Sequence, residues 1–314
     1  MKKLLWASLA ATLLFGGQAQ AQQWPTGTIT IVAPFAAGGA PDFLARLIGK
    51  YLSESVKQNV VVENKPGANG LVGSMTVVRA EPDGLTLLMT GLASHVTAPL
   101  LRKAEDPMKG LTHIAYIGGT PIALLVTPSS KAKSLEDYLE MAKTTPINYG
   151  TSGAGSLGHL VAEYLVQNKK VKLTPIHYNV VPTSDVIAGH IESTFASWAS
   201  LREPAHAGLL RPLAVTSAKP VSDAPDLPTM KARGIDLDVL AWFSISGPPG
   251  MSPELTQKLH AEFTRILALP EVSKRLTDAQ YQLQTMTPAQ LNAFYAAEKK
   301  LWEPVVVAGG LQTQ

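Results

Sequence analysis

The segment from Thr28 to Asp42 reads TITIVAPFAAGGAPD. Its first part, Thr28 to Ala33, is β-branched and apolar like a strand. It then passes through small residues to Pro41, which suits a first helical position. Between Pro41 and Val56, residues Phe43, Leu44, Leu47, Ile48 and Leu52 share one helical face. Strand, glycine loop and helix are therefore expected in succession. The same alternation continues along the chain, with strands expected over 60–62, 85–89, 114–117, 122–127, 147–149, 175–178, 194–195 and 212–215. Helices are expected over 71–79, 134–144, 156–167, 183–189, 253–269, 270–277 and 288–300, with Ser134 as an N-cap. Gly118-Gly119 separates the fourth strand from the fifth. This pattern predicts an α/β fold with mostly parallel sheets.

The length allows roughly two domains, and no long flexible linker divides them. Short crossing segments are expected instead, near Ile122 to Thr127 going out and Ala241 to Ser246 returning, as in hinged binding proteins. The first domain is then residues 22–123 with 244–314, and the second is residues 124–243.

The N-terminus carries Lys2 and Lys3, an apolar run from Leu4 to Phe15 and a small-residue site at Ala19-Gln20-Ala21. That layout predicts a cleaved signal peptide over residues 1–21 and export to the periplasm. The apolar run is shorter than the roughly 20 residues that span a bilayer, so no membrane insertion is expected. Taking Lys2 and Lys3 from the 27 basic side chains leaves 25 against 24 acidic ones. That balance, without a Lys/Arg cluster, argues against nucleic acid. The absence of cysteine excludes disulfides, thiolate metal sites and a cysteine nucleophile.

Two glycine-rich loops leave strands and open helices. In Phe35-Ala36-Ala37-Gly38-Gly39, followed by Asp42, small residues let a ligand approach the backbone. The helix start there offers unpaired N–H groups and the positive end of a dipole. A tight turn needing glycine only for its backbone angles would look the same. In the second loop, Gly153, Gly155 and Gly158 have dinucleotide spacing, but no acidic residue lies between Glu163 and Asp185 to hold a ribose, so that reading fails. An anion cradle using Thr151, Ser152 and Ser156 remains. No cofactor is expected. The serine in Gly150-Thr151-Ser152-Gly153-Ala154 lacks the final glycine of a nucleophile elbow, and no Ser-His-acid set can be assembled for the rival α/β hydrolase. The seven histidines show no metal spacing. His159 reads as a structural histidine before a base, Asp42 and Arg46 as an i, i+4 surface pair, and Trp198, Trp242 and Phe243 as core.

Several motifs in order carry a resemblance: Trp24-Pro25, Val32-Ala33-Pro34-Phe35 with Gly38-Gly39 and Asp42, and Val61-Val62-Glu63-Asn64-Lys65-Pro66-Gly67-Ala68. They continue through Pro82-Asp83-Gly84, Asn148 to Gly153, His159-Leu160, Leu213 to Ser217 and Trp242-Phe243. Across nearly the whole mature chain the sequence resembles the Bug family, periplasmic substrate-binding components of tripartite tricarboxylate transporters. The resemblance implies a two-domain periplasmic-binding-protein fold of type II kind, with a central cleft and two crossing strands. It also implies a small carboxylate ligand, membrane subunits of a transporter as partners, a monomer, and no catalysis. An orphan receptor for a sensor kinase would look the same.

Residue by residue, the resemblance implies ligand contacts from Phe35, Ala36, Ala37, Gly38, Gly39 and Asp42, and from Ser94 and His95. It further implies contacts from Thr151, Ser152 and Gly153, with Ser156 and His159 behind them. Two departures stand out. Asn179-Val180 replaces a Lys-Gly pair, and Ala196-Ser197-Trp198 replaces a segment that often carries an Asp facing an amino group. Ser197 and Trp198 are therefore expected at the cleft, Trp198 as a flat apolar wall favouring an aliphatic or aromatic carboxylate over an amino acid.

Overall fold

The computed structural model describes residues 24–102, 109–178 and 180–312. The expected signal peptide and Asn179 lie outside these residues. The elements in order are β1 (Ile29–Ala33), α1 (Ala40–Val56), β2 (Val60–Asn64), α2 (Leu71–Val78), β3 (Thr86–Gly91), α3 (Ala98–Leu101) and β4 (Thr112–Val126). They continue as α4 (Leu135–Thr144), β5 (Ile147–Thr151), α5 (Leu157–Lys169), β6 (Leu173–His177), α6 (Thr183–Ile187), β7 (Ser193–Ser197), α7 (Trp198–His206) and β8 (Arg211–Val215). The chain finishes with β9 (Leu240–Gly247), α8 (Pro253–Leu267), α9 (Pro270–Asp278), β10 (Gln282–Leu283) and α10 (Pro288–Ala308). A 3₁₀ turn at Ala68–Gly70 precedes α2, and a π-helical turn at Ala93–Thr97 precedes α3.

The strands form a continuous curled sheet in the order β2-β1-β3-β9-β4-β7-β5-β6, with β8 and β10 also on β4. Its two ends are parallel: β2, β1 and β3 at one, and β6, β5 and β7 at the other. The middle is antiparallel, so the sheet is mixed rather than mostly parallel as expected. The reason is that β4 and β9 run opposite to each other between the lobes.

Where two strands are expected on either side of Gly118-Gly119, one fifteen-residue strand runs through. The glycines mark an irregularity in register, not a break. Gly118 has φ +135°, and a β-carbon there would meet the Gln282 carbonyl of β10. Residues Thr112 to Pro121 pair with β9, and Ile122 to Val126 pair with β7 and β8. The handover is fastened by Thr216, whose hydroxyl accepts the Ile122 N–H at 2.9 Å and donates to the Val239 carbonyl at 2.7 Å.

One core lies under β1 and β3 against α1, α8 and α9. It is built from Ile31, Leu44, Ile48, Leu87 and Phe263, all shut off from solvent. A second core, around Leu125, Trp198 and Leu201, lies on one face of the other lobe. The largest core crosses between the lobes. It joins Leu92, Val96 and Leu100 of the first to Leu157, Leu160 and Phe195 of the second through Leu291, Tyr295, Trp302, Val305 and Val306 of α10. That last helix is expected to end at Lys300, ahead of Pro304. It continues to Ala308 because Val305 and Val306 are buried in this shared core, which outweighs one missing backbone donor.

Candidate functional site

The first loop follows β1 and leads into α1, whose N-cap is Gly39. Residues 36–40 are exposed. Gly38 has φ +84°, the left-handed region that favours glycine, with open space where a β-carbon would sit. Asp42 is not a free surface carboxylate. Its Oδ2 accepts the Gly38 N–H at 3.0 Å, and its Oδ1 accepts from Arg46 Nε at 2.9 Å. The Arg46 hydrogen bond first, and the Gly38 amide second, hold its pKa down to about 2. Gly38 therefore spends its amide on the protein, while Ala36 and Ala37 donate to no acceptor among the described residues. The Phe35 ring lies against Gly70, where a β-carbon would also meet the β-carbon of Ser94. Phe35, Gly70 and Ser94 thus share one corner.

The second loop follows β5. Thr151, expected to offer its hydroxyl to a ligand, is fully buried and committed elsewhere: Oγ1 lies 2.9 Å from His177 Nδ1 and donates to the Gly153 carbonyl at 3.2 Å. Ser156 is the N-cap of α5, accepting the His159 N–H at 3.4 Å. His159 Nδ1 accepts the Gly155 N–H at 3.0 Å, which requires an unprotonated nitrogen. Burial, reinforced by His177, lowers the His159 pKa to about 4, so the ring is neutral at pH 7 and acts as a strut. Ser152 and Ala154 are exposed, and their amides have no acceptor among the described residues.

The lobes touch where Gly155 meets Leu101, leaving no room for a β-carbon. Beside this contact a cavity of about 480 Å³ is lined from both lobes, by Ala68, Asn69 and Arg102 on one side and Ala154, His159 and His177 on the other.

The remaining expected residues divide. Ser94 is buried and bonds back to Gly91. His95 meets His113 edge to face and lies tilted against Tyr295, with a pKa lowered to about 4 by burial and then by Lys299. Ser197 meets the Thr120 hydroxyl at 2.9 Å, where the lobes join. Trp198 forms no open wall: it is 1% exposed, sits in the core of the second lobe, and donates its indole N–H to Asp223. Neither Asn64 nor His177 is singled out for a role by the sequence. Both are placed by strand register, Asn64 opposite Ala33 and His177 opposite Thr151, and register is not written in either residue.

A two-lobed α/β fold with paired strand-to-helix loops is the architecture of periplasmic solute-binding proteins. The sequence model of the Tripartite tricarboxylate transporter family receptor (TctC) matches residues 44–311, and the chain belongs to this family. A UPF0065 protein of Bordetella bronchiseptica is 32% identical over 261 residues, covering 82% of this chain and 78% of the relative. Rpa4515 of R. palustris, solved with adipate, is 29% identical with a TM-score of 0.78, covering 91% of this chain and 98% of that one. MatC from Rhodopseudomonas palustris, solved with bound malate, is 27% identical with a TM-score of 0.74, covering 90% and 100%.

Proposed function

We propose that this receptor captures a small aliphatic dicarboxylate between its two loops and delivers it to the membrane subunits of a tripartite tricarboxylate-type transporter, without chemical turnover. The observation that carries this reading is that both loops expose amides with no acceptor among the described residues, at Ala36 and Ala37 in one and at Ser152 and Ala154 in the other. These amides sit in the loops just ahead of the N-caps Gly39 and Ser156, near the positive ends of two helices, where backbone donors receive carboxylates without a cationic side chain. The relatives with adipate and malate support the ligand class. With Trp198 enclosed, the reason for expecting an aromatic ligand falls away.

The protein acts as a monomer in the periplasm after removal of residues 1–21. Residues 22–123 with 244–314 and residues 124–243 close as two units around β4 and β9. Closure sets the second loop over a ligand first held by the Phe35–Gly39 loop and removes it from water, which strengthens the hydrogen bonds.

The test is unfolding in the presence of mono-, di- and tricarboxylates, with amino acids as a contrasting set. A ligand at 100 times its Kd stabilises by about 2.7 kcal/mol. Stabilisation by adipate or malate supports the proposal. Stabilisation by amino acids alone, or by no carboxylate, overturns it.

A further inference from the structure

Resting on that reading of the site, we infer that Arg46 and Asn64 are positioning residues that hold the first loop in its ligand-receiving shape. Four hydrogen bonds make a circuit that leaves the loop and returns to it. Asn64 Nδ2 donates to the Phe35 carbonyl at 3.2 Å, and Arg46 Nη2 donates to Asn64 Oδ1 at 3.2 Å. Arg46 Nε then donates to Asp42 Oδ1 at 2.9 Å, and Asp42 Oδ2 accepts the Gly38 N–H at 3.0 Å. The two anchor points, Phe35 and Gly38, bracket Ala36 and Ala37, whose amides meet no acceptor among the described residues.

The circuit is more than a helix cap. Its Asn64 bond ends on Phe35, outside α1, and Asn64 reaches that carbonyl because β1 and β2 pair Ala33 with Asn64. Nor is Arg46 a ligand cation, since its charge is matched by Asp42. Fixing exposed donors before the ligand arrives removes an ordering cost from binding.

The variants are Asn64→Asp, which keeps an acceptor for Arg46 but removes the donor to Phe35, and Arg46→Gln, on a side chain exposed enough to change without loss of core. Lys50→Ala on the same helix is the control. Two readouts are taken on the full mature chain: ¹⁵N order parameters for residues 36–38 without ligand, and adipate affinity by calorimetry. The expected result is rigid backbone order near 0.85 in the parent, falling toward 0.6 in both variants, with affinity down about tenfold and the control unchanged. Parent-like loop order in both variants, or parent-like affinity despite a loosened loop, overturns the inference. If the parent binds no carboxylate, the ligand reading fails by itself, and the order parameters still decide whether the circuit holds the loop.

Discussion

Trp242 donates its indole N–H to Glu298 Oε2 at 3.0 Å, joining the start of a crossing strand to helix α10. The same oxygen accepts from Trp302 at 3.3 Å, and burial raises the Glu298 pKa. Replacing Glu298 with Ala leaves two enclosed indole donors without an acceptor. At about 1–3 kcal/mol for each unsatisfied group, Glu298→Ala should destabilise the protein by roughly 3 kcal/mol in urea unfolding. Glu298→Gln retains a carbonyl acceptor and should lose less than half of that. Equal losses in the two variants would show that the indole bonds are not what matters.

Gly39 separates binding from folding. Its φ of −82° is ordinary for any residue, and the nearest atom to an added β-carbon is the Ala36 carbonyl oxygen at 3.5 Å. Gly39→Val should therefore cost no more than about 1 kcal/mol, through the weaker N-cap, while crowding the approach to the Ala36 and Ala37 amides. Calorimetry should show adipate binding reduced at least about tenfold. Undiminished binding would remove the first loop from the site.

Gly155 reports on the contact between lobes. It has φ +73°, and a β-carbon would strike Leu101. Gly155→Ala should cost about 1–2 kcal/mol from backbone strain alone. The collision adds to that and should push the lobes apart, raising the radius of gyration measured by X-ray scattering. The double variant with Leu101→Ala should restore the parent radius while keeping the strain.

Acid should weaken the fold through the buried His159 and the half-buried His95 and His113. Burial, and for each a nearby cationic or imidazole neighbour, lowers His95 and His159 to about 4 and His113 to about 3 from a reference of 6.5. With folded pKa values below the unfolded one, their contribution is complete above pH 6.5 and is lost as pH falls toward 4. Glu163 and Glu298, raised by burial, act in the opposite direction. Urea unfolding from about pH 7 to about pH 5 should show declining stability, and His95→Asn should make the decline shallower. An unchanged slope would mean that His95 takes no part.

Much of the fold was legible because its signals are local. The stripe of α1, the capping box of Ser134 with Asp137 and the prolines opening α8 and α9 all act within a few residues. What escaped depends on distant partners. Gly118-Gly119 looks like a break until β10 is laid beside it, and the last helix, expected to end at Lys300, runs on to Ala308 where Val305 and Val306 find the other lobe. The site divides in the same way. Its two glycine loops and the i, i+4 pair of Asp42 with Arg46 can be read from spacing, but the bonds of Thr151 to His177 and of Asp42 to the Gly38 amide appear only once the chain is folded.

Helix α10 rests on α5 and on the π-helical turn at Ala93–Thr97 together, with Trp302 and Val306 sealed between them. An oily seam therefore runs from one lobe to the other through this helix. Prising α10 away from either neighbour would wet those side chains, at roughly 25 cal/mol for each Å² uncovered, so this one helix ties the two lobes together.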